Sequence, residues 1–351
     1  MASVRPQSST AEQPRPEIPV EARDRGIYLP EADFWLDPSR VKPVAFVSHA
    51  HSDHFARHHR ILCSPATGDV LKARYGQKTA CDPVAFGQSI EHNGHSIELF
   101  PAGHALGSAQ IRIERLSDGA SLLYTGDFKR RPSLTCEPYE ARTADTLVME
   151  TTFGLPKFRF PAIEDVRADV LRFCRETLDA GEVPMLLGYS FGKAQELLAI
   201  LTGSGLEAMV HDSIRKLLPT FESHGFAFPP WQVFDPGGID GKVLVFPPTA
   251  ERKAALAEIK RPCRTAVATG WAIDPRARYR YRADAAFPLS DHADWPDLLR
   301  CAQEVQPSRI LTTHGYAAPF AADLRRRGFN AWSLHGIDQM ELSLGLDEPE
   351  A

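Results

Sequence analysis

The sequence lacks the features that mark membrane or disulfide-rich secreted proteins. No apolar run approaches the ~20 residues that a membrane-spanning helix needs. The opening stretch, MASVRPQSSTAEQPRPEIPV, has no apolar core of the signal-peptide kind. The 6 cysteines are scattered, and no two have the CxxC spacing of a metal knuckle. We therefore expect a globular protein of the cytoplasm.

An excess of positive charge is also missing. Lys and Arg number 40 against 45 Asp and Glu, which gives a formal net charge of −5. A protein that holds nucleic acid through bulk charge alone would be basic. Any polyanionic ligand would therefore have to be bound through metal ions and local basic patches.

The chain is long enough for one large domain or two, and its texture changes along its length. Residues 1–22, rich in Pro, Ser, Gln and Glu, predict a mobile tail. Residues 23–154 contain many short apolar runs, which predict strands. From 155 to about 270, strands alternate with helical patterns, which favours an α/β unit inserted into a larger fold. Residues 271–351 return to the first unit.

The segment SHAHSDHF follows the apolar run VAFV and contains four candidate metal ligands. His49 and His51 are two residues apart, so in an extended segment both imidazoles point the same way. Asp53 and His54 follow where the chain must turn. For a lone His-x-His motif, a polar turn without metal would be the better explanation.

Further candidate ligands recur after other predicted strands, in turns that contain glycine. They are His104 in PAGHALGSAQI, Asp127 in LLYTGDFK and His314 in RILTTHG. Imidazole and carboxylate are zinc ligands, and a two-metal site also needs a bridging oxygen, for which Asp127 is the candidate. The combined set predicts a metal site.

These motifs resemble those of a known family. SHAHSDH is similar to the His-x-His-x-Asp-His signature of the metallo-β-lactamase superfamily, and GHALGSA and YTGDFK are similar to its next two ligand motifs. The resemblance implies an α/β fold, a four-layer αβ/βα sandwich with a dinuclear zinc site at one edge of the sheets.

Three later motifs resemble those of the β-CASP branch, whose members process nucleic acids. They are VMETTFG with Glu150, PLSDHADWPDLL with His292, and ILTTHG with His314. The predicted insert lies where that branch has its extra domain. LGYSFGKAQELL and the short chain most resemble bacterial exonucleases associated with DNA ligase, which are also described as mRNA 3′-end processing factors. In this branch His at the third motif is typical of RNA-processing members, so the choice between DNA and RNA stays open.

The resemblance also implies roles for individual residues. One zinc would be held by His49, His51 and His104, and the other by Asp53, His54 and His314, with Asp127 as the bridge. His292 would protonate the leaving oxygen or donate to the phosphate, and Glu150 would orient it. For these last two residues, a surface carboxylate and a helix-capping side chain are the alternatives. The His-rich set favours Zn²⁺ over Mn²⁺.

Two segments are candidates for substrate binding. GYSFGK, with Ser190 and Lys193, precedes a predicted helix whose first amides could hold a phosphate, although a structural turn fits as well. In PRARYRYRAD, Arg276, Arg278, Arg280 and Arg282 alternate with other residues. An extended segment would place all four on one side and form a basic stripe. A charged edge strand is the alternative.

Three functions remain open from the sequence. The first is a zinc-dependent nuclease, most consistent with a DNA exonuclease in repair that works with a DNA ligase, or else an enzyme that processes RNA 3′ ends. The second is a small-ester hydrolase of the same superfamily, which would not need Glu150, His292 or an insert. The third is a non-catalytic scaffold, which would not need the complete ligand set.

Overall fold

The protein has an α/β fold, as predicted. The structure is a computed structural model that describes residues 16–249 and 251–335. Its strands within these ranges are β1 (Glu21–Arg23), β2 (Gly26–Leu29), β3 (Phe34–Leu36), β4 (Val44–Phe46), β5 (Arg60–Cys63), β6 (Cys81–Pro83), β7 (Ser89–His92), β8 (His95–Pro101), β9 (Ala109–Arg115), β10 (Ser121–Tyr124), β11 (Thr146–Glu150), β12 (Val183–Leu187), β13 (Glu207–Val210), β14 (Trp231–Val233), β15 (Lys242–Phe246), β16 (Cys263–Ala268), β17 (Ala285–Phe287), β18 (Arg309–Thr313) and β19 (Ala331–Ser333).

The helices of the same described ranges lie between these strands. They are α1 (Pro65–Tyr75), α2 (Ile163–Asp179), α3 (Lys193–Leu201), α4 (Asp212–Arg215), α5 (Leu218–Ser223), α6 (Glu251–Glu258), α7 (Ala277–Arg280), α8 (Trp295–Val305) and α9 (Ala317–Arg326). Short 3₁₀ turns occur at Ser52–His54 and Gly270–Ile273. Among the helices in the described part of the chain, none has both the length and the apolar character to cross a bilayer.

The strands form three sheets. Their orders are β1-β2-β3-β4-β5-β6 in the first, β19-β18-β11-β10-β9-β8-β7 in the second and β14-β13-β15-β12-β16-β17 in the third. Neighbouring strands of the third sheet are all parallel, as its alternation of strands and helices requires. In the second sheet, β11 lies parallel to both β10 and β18. The chain thus leaves this sheet after Glu150 and returns to it at Arg309.

The first two sheets pack face to face across one apolar cluster. Phe34 and Phe46 come from the first sheet, and Ile111, Tyr124 and Val148 from the second. All five side chains are at most 1% exposed, so this interface is a closed core. Two aromatic rings in it, those of Phe46 and Tyr124, meet edge to face with their centroids 6.5 Å apart.

Helices pack on the other faces of these two sheets. Helix α1 contributes Val70 and Leu71 to a cluster with Ile61 of β5. Helices α8 and α9 contribute Leu298 and Phe320 to a cluster that includes residues of β11 and β18. The third sheet has apolar clusters of its own, which contain residues of α2 and α3 in one case and of α6 in the other.

Helix α8 begins where the sequence contains a capping signal. The Asp294 side chain accepts a hydrogen bond from the Asp297 amide at 3.1 Å, and Pro296 occupies the first turn. The cap fixes the point at which the chain stops being extended, two residues after His292. The segment that carries this histidine therefore enters the helix at a defined position.

Two structural features lie close to the predicted boundaries. Residues 1–15 of the predicted tail lie outside the described residues, but Ile18 is fully buried in the core between the first two sheets and Glu21 begins β1. An apolar side chain that fills a core position holds this end of the segment in place. The third sheet also extends past 270, because β17 pairs with β16.

Candidate active site

The candidate ligands lie at one edge of the first two sheets. His49 and His51 follow β4, Asp127 follows β10, Glu150 ends β11 and His314 follows β18. Because β10, β11 and β18 are parallel, their carboxyl ends meet at the same edge. Topology alone therefore brings together residues that are far apart in the sequence.

Three imidazoles form the first group. The ligand nitrogens of His49, His51 and His104 all lie within 4.8 Å of one another. His104 Nε2 is 3.0 Å from His51 Nδ1. The set that the sequence assigned to one zinc is thus brought together by the fold.

His49 shows that this group fits a metal ion. Its Nδ1 lies 2.9 Å from the Ser48 hydroxyl, whereas its Nε2 is buried and has no hydrogen-bond partner. A buried polar atom without a partner is costly, and a metal ion of the kind that imidazole binds would satisfy it. Burial and the neighbouring histidines hold the pKa of His49 well below its usual range, which keeps the imidazole neutral as a ligand must be.

Asp127 lies between the first group and a second one. Its Oδ2 is 3.2 Å from His54 Nε2, 3.6 Å from His49 Nε2 and 3.9 Å from His104 Nε2. His49, His54 and Asp127 also form a group with ligand atoms within 4.8 Å. Burial alone would raise the pKa of Asp127, but the charges of His54 and His292 hold it well below the usual range. The carboxylate is therefore ionised and central.

Two predicted ligands lie farther out. The Asp53 side chain is 75% exposed, with Oδ2 at 3.7 Å from His54 Nε2. His314 is exposed, and its ring centroid is 5.4 Å from that of His54. Neither belongs to a compact ligand group among the described residues. The fold thus places Asp53 and His314 beside His54, outside the compact ligand groups.

Glu150 and His292 form a hydrogen-bonded pair. His292 Nδ1 donates to the two Glu150 carboxylate oxygens at 2.9 and 3.0 Å. Glu150 is fully buried and also accepts the Phe128 amide at 2.8 Å, so it cannot be a surface carboxylate. Burial alone would lower the pKa of His292, but the charges of Glu150 and Asp127 raise it to about 9. His292 also forms a third compact group with His104 and Asp127.

Asp37, which the sequence analysis missed, supports this site from behind. It accepts the Ser48 amide at 2.7 Å, the Ser48 hydroxyl at 2.6 Å, the Tyr124 hydroxyl at 2.8 Å and His54 Nδ1 at 2.9 Å. Its carboxylate thus orients two candidate ligands, one directly and His49 through Ser48. The available signal was an acid at the end of the apolar run FWL, immediately before a proline.

Lys193 does not reach outwards as predicted. Its side chain is 4% exposed, and its ammonium donates to Asp291 Oδ1 at 2.6 Å and to the Leu289 carbonyl at 2.7 Å. The predicted phosphate contact is therefore replaced by an internal ion pair. Ser190 is half-buried, and its hydroxyl lies 2.8 Å from that of Ser213.

The segment predicted to be an extended basic stripe is helical instead. Arg278 and Arg280 lie in α7, a single helical turn; Arg276 is its N-cap and Arg282 has a left-handed backbone with φ 49°. Asp274 and Pro275 start the turn, and the Ala277 amide bonds the Asp274 carbonyl at 2.8 Å. A helical turn spreads the four arginines around its axis. Arg276 remains on the surface, with its side chain 87% exposed.

The sequence is similar to nucleic-acid enzymes of several kinds. A probable DNA ligase from Opitutus terrae is 46% identical over 326 residues, which cover 93% of this chain and 32% of the ligase. The DNA cross-link repair protein SNM1 of Arabidopsis thaliana is 27% identical over 81% of this chain and 64% of its own length. An RNase J-like protein of Methanocaldococcus jannaschii is 29% identical over 47% of this chain and 44% of its own.

This chain thus spans less than two thirds of the length of each of these relatives, and about a third of the ligase. No family model matches the sequence. The names of these relatives all refer to work on nucleic acids, namely joining, repair or cutting.

Proposed function

Because the chain belongs to the β-CASP branch of the metallo-β-lactamase superfamily, we propose that it is a metal-dependent nuclease, a DNA exonuclease that acts in repair. One observation carries the proposal. At a single sheet edge, compact His and Asp groups stand beside a histidine that is hydrogen-bonded to a buried glutamate. A small-ester hydrolase would not need that pair.

The packing supports a four-layer sandwich as the frame of this enzyme. Apolar clusters join the first two sheets to each other, and others join them to α1 on one side and to α8 and α9 on the other. We assign the third sheet and its helices to the inserted β-CASP domain, since they interrupt the second sheet between β11 and β18.

We assign two Zn²⁺ ions to the site, with Mn²⁺ as the alternative. His49, His51 and His104 would hold one ion, and His54, Asp53 and His314 the other, with Asp127 between them. When bound, such a pair supplies hydroxide near neutral pH and neutralises negative charge on a phosphate. The unpartnered Nε2 of His49 and the ionised Asp127 supply the donors that this requires.

His292 is the proton donor of the proposed reaction. With a pKa of about 9 it holds a proton at neutral pH, on Nδ1 facing Glu150 and on Nε2 facing away. Glu150 fixes the ring and compensates the positive charge of the imidazolium. Breaking a phosphodiester bond leaves an oxyanion, and the Nε2 proton can pass to it. Asp53, exposed beside His54, completes the catalytic set.

DNA is the proposed substrate and a DNA ligase the proposed partner. A relative named as a DNA ligase contains a segment that matches nearly the whole of this chain. A nuclease that trims an end provides what a ligase joins, so the two activities would act in sequence. The exposed Arg276 is the candidate backbone contact. Six free cysteines support the cytoplasm as the compartment.

RNA processing is the second candidate function. His314 stands at the position that resembles the RNA-processing members of the branch, and one relative is named RNase J-like. The two substrates differ in the 2′-hydroxyl, which no observation on this site selects for or against.

A cleavage assay on matched, end-labelled DNA and RNA strands tests the proposal. Wild type loaded with Zn²⁺ or Mn²⁺ is compared with His292→Ala and with His59→Ala, whose histidine is exposed and belongs to none of the compact ligand groups. We expect stepwise shortening of DNA by wild type and His59→Ala, and a rate lower by roughly 10²–10⁴ in His292→Ala. Internal cuts confined to RNA would replace the proposal with the second candidate. A metal-loaded protein that cuts neither strand would end both.

A further inference from the structure

A buried ion pair joins the third sheet's helix α3 to the segment before α8. Lys193, the first residue of α3, donates to Asp291 Oδ1 at 2.6 Å and to the Leu289 carbonyl at 2.7 Å. The side chains of Lys193 and Asp291 are 4% and 12% exposed. Two bonds from one ammonium therefore tie residues 289–291, which connect β17 to α8, to the first residue of α3.

Asp291 connects this pair to the metal-ligand groups. Its backbone carbonyl accepts His104 Nδ1–H at 2.8 Å. A carbonyl oxygen can only accept, so the bond places the proton on Nδ1 and leaves the Nε2 lone pair of His104 free for a metal. The Asp291 main chain therefore sets both the tautomer and the direction of a candidate ligand.

The same segment carries His292. The His292 ring lies 4.8 Å from the His104 ring, centroid to centroid, and 2.9 Å from Glu150 through Nδ1. A displacement of residues 289–291 would thus move the proton donor and turn a ligand at the same time. Lys193 and Asp291 have opposite formal charges, 2.6 Å apart and largely buried, so losing one partner would leave the other charge buried and unpaired.

We propose that Lys193 is a positioning residue for the reaction, acting through Asp291 on His104 and His292. The inference rests on the proposed function, in which His104 binds metal and His292 donates the proton. Removing groups that orient metal ligands typically costs about 10–100-fold in metal affinity or activity. Lys193 would orient the metal ligand and the proton donor from the start of helix α3, without touching substrate.

The test compares Lys193→Met with Arg167→Met. Arg167 also makes a partly buried ion pair to α3, with Glu196 Oε1 at 3.0 Å. Its other hydrogen bond goes to the Pro132 carbonyl rather than to residues 289–292. Zinc affinity is measured by competition with a chromophoric chelator, kcat and KM on labelled DNA, and Tm by calorimetry. We expect Lys193→Met to lose about 10-fold or more in zinc affinity and in kcat, with little change in KM. Arg167→Met should lower only Tm.

Two results would overturn the inference: wild-type zinc affinity and kcat in Lys193→Met, or equal losses in both variants. If Lys193→Met fails to fold, Lys193→Met/Asp291→Asn removes both buried charges and is measured instead, with lost zinc affinity expected. Wild-type zinc affinity in that double variant would also overturn it. If wild type binds zinc but cuts no DNA, the proposed function fails, and the zinc comparison still decides the positioning role.

Discussion

Four hydrogen bonds of the site converge on the carboxylate of Asp37. It accepts from two hydroxyls, one amide and one imidazole, and it lies at φ 44°, where Asn is also tolerated. We expect Asp37→Asn to lower the free energy of unfolding by about 2 kcal/mol, because its NH₂ group must face donors. Zinc affinity should fall by roughly 10–100-fold.

Asp33→Asn is the matched control for that change. Asp33 has φ 45° and is exposed, and it accepts one hydrogen bond, from the Tyr28 hydroxyl at 2.8 Å. Chemical denaturation and chelator competition on both variants check the prediction. Equal effects at the two positions would show that the hydrogen bonds of Asp37 do not support the ligands.

Sequence reasoning found the histidines of the site and missed Asp37 for a physical reason. His49 and His51 stand directly behind an apolar run, so their place at a strand end could be predicted. Asp37 acts on Ser48 and His54 from another strand, and its role exists only once β3 and β4 pair. The predicted basic stripe at 276–282 was wrong for another reason. The alternation of arginines suggested an extended strand, but Asp274 and Pro275 start a helical turn there.

At the scale of elements, the contact between α1 and the His104 loop depends on Gly107. Its carbonyl accepts the Ser64 and Thr67 hydroxyls at 2.6 and 2.8 Å, and a Cβ at Gly107 would lie 2.4 Å from the Thr67 amide nitrogen. The N-terminus of α1 therefore leaves no space for a side chain three residues after a candidate ligand.

Gly107→Ala should displace that loop, whereas Gly119→Ala should not. Both glycines have φ 74°, but a Cβ at Gly119 meets nothing within 4 Å. We expect Gly119→Ala to cost about 1 kcal/mol of unfolding free energy from its backbone conformation alone. Gly107→Ala should cost more and also weaken zinc binding, as urea denaturation and chelator competition would show. Equal costs with intact zinc binding would contradict the close packing.

The order of elements was easier to predict than their limits. The alternation of strands and helices from 155 onwards predicted the parallel third sheet, and the pairings confirm it. The predicted boundary of the α/β unit at 270 lies before β17. Three residues such as Ala285–Phe287 form too short a pattern for a strand to be predicted from the sequence. Pairing with β16 determines that they form one.

At the scale of the whole molecule, metal should stabilise the fold as well as catalyse. A ligand present at about 100 times its Kd adds about 2.7 kcal/mol to the free energy of unfolding. We therefore expect chelation to lower Tm in calorimetry and added zinc to restore it. His104→Ala should have a Tm that responds less to zinc, because two of the compact ligand groups lose a member. Identical melting with and without chelator would argue against metal binding.

The third sheet lies between β11 and β18 in the chain, which determines the order in which the site residues are synthesised. During translation, Glu150 is synthesised first. All strands of the third sheet follow, and His292 and the strand before His314 are synthesised only after them. At about 5–20 residues per second, a nascent chain spends several seconds with Glu150 but without His292 and His314. The nuclease proposed above therefore has no complete set of candidate ligands until residue 314 has been synthesised.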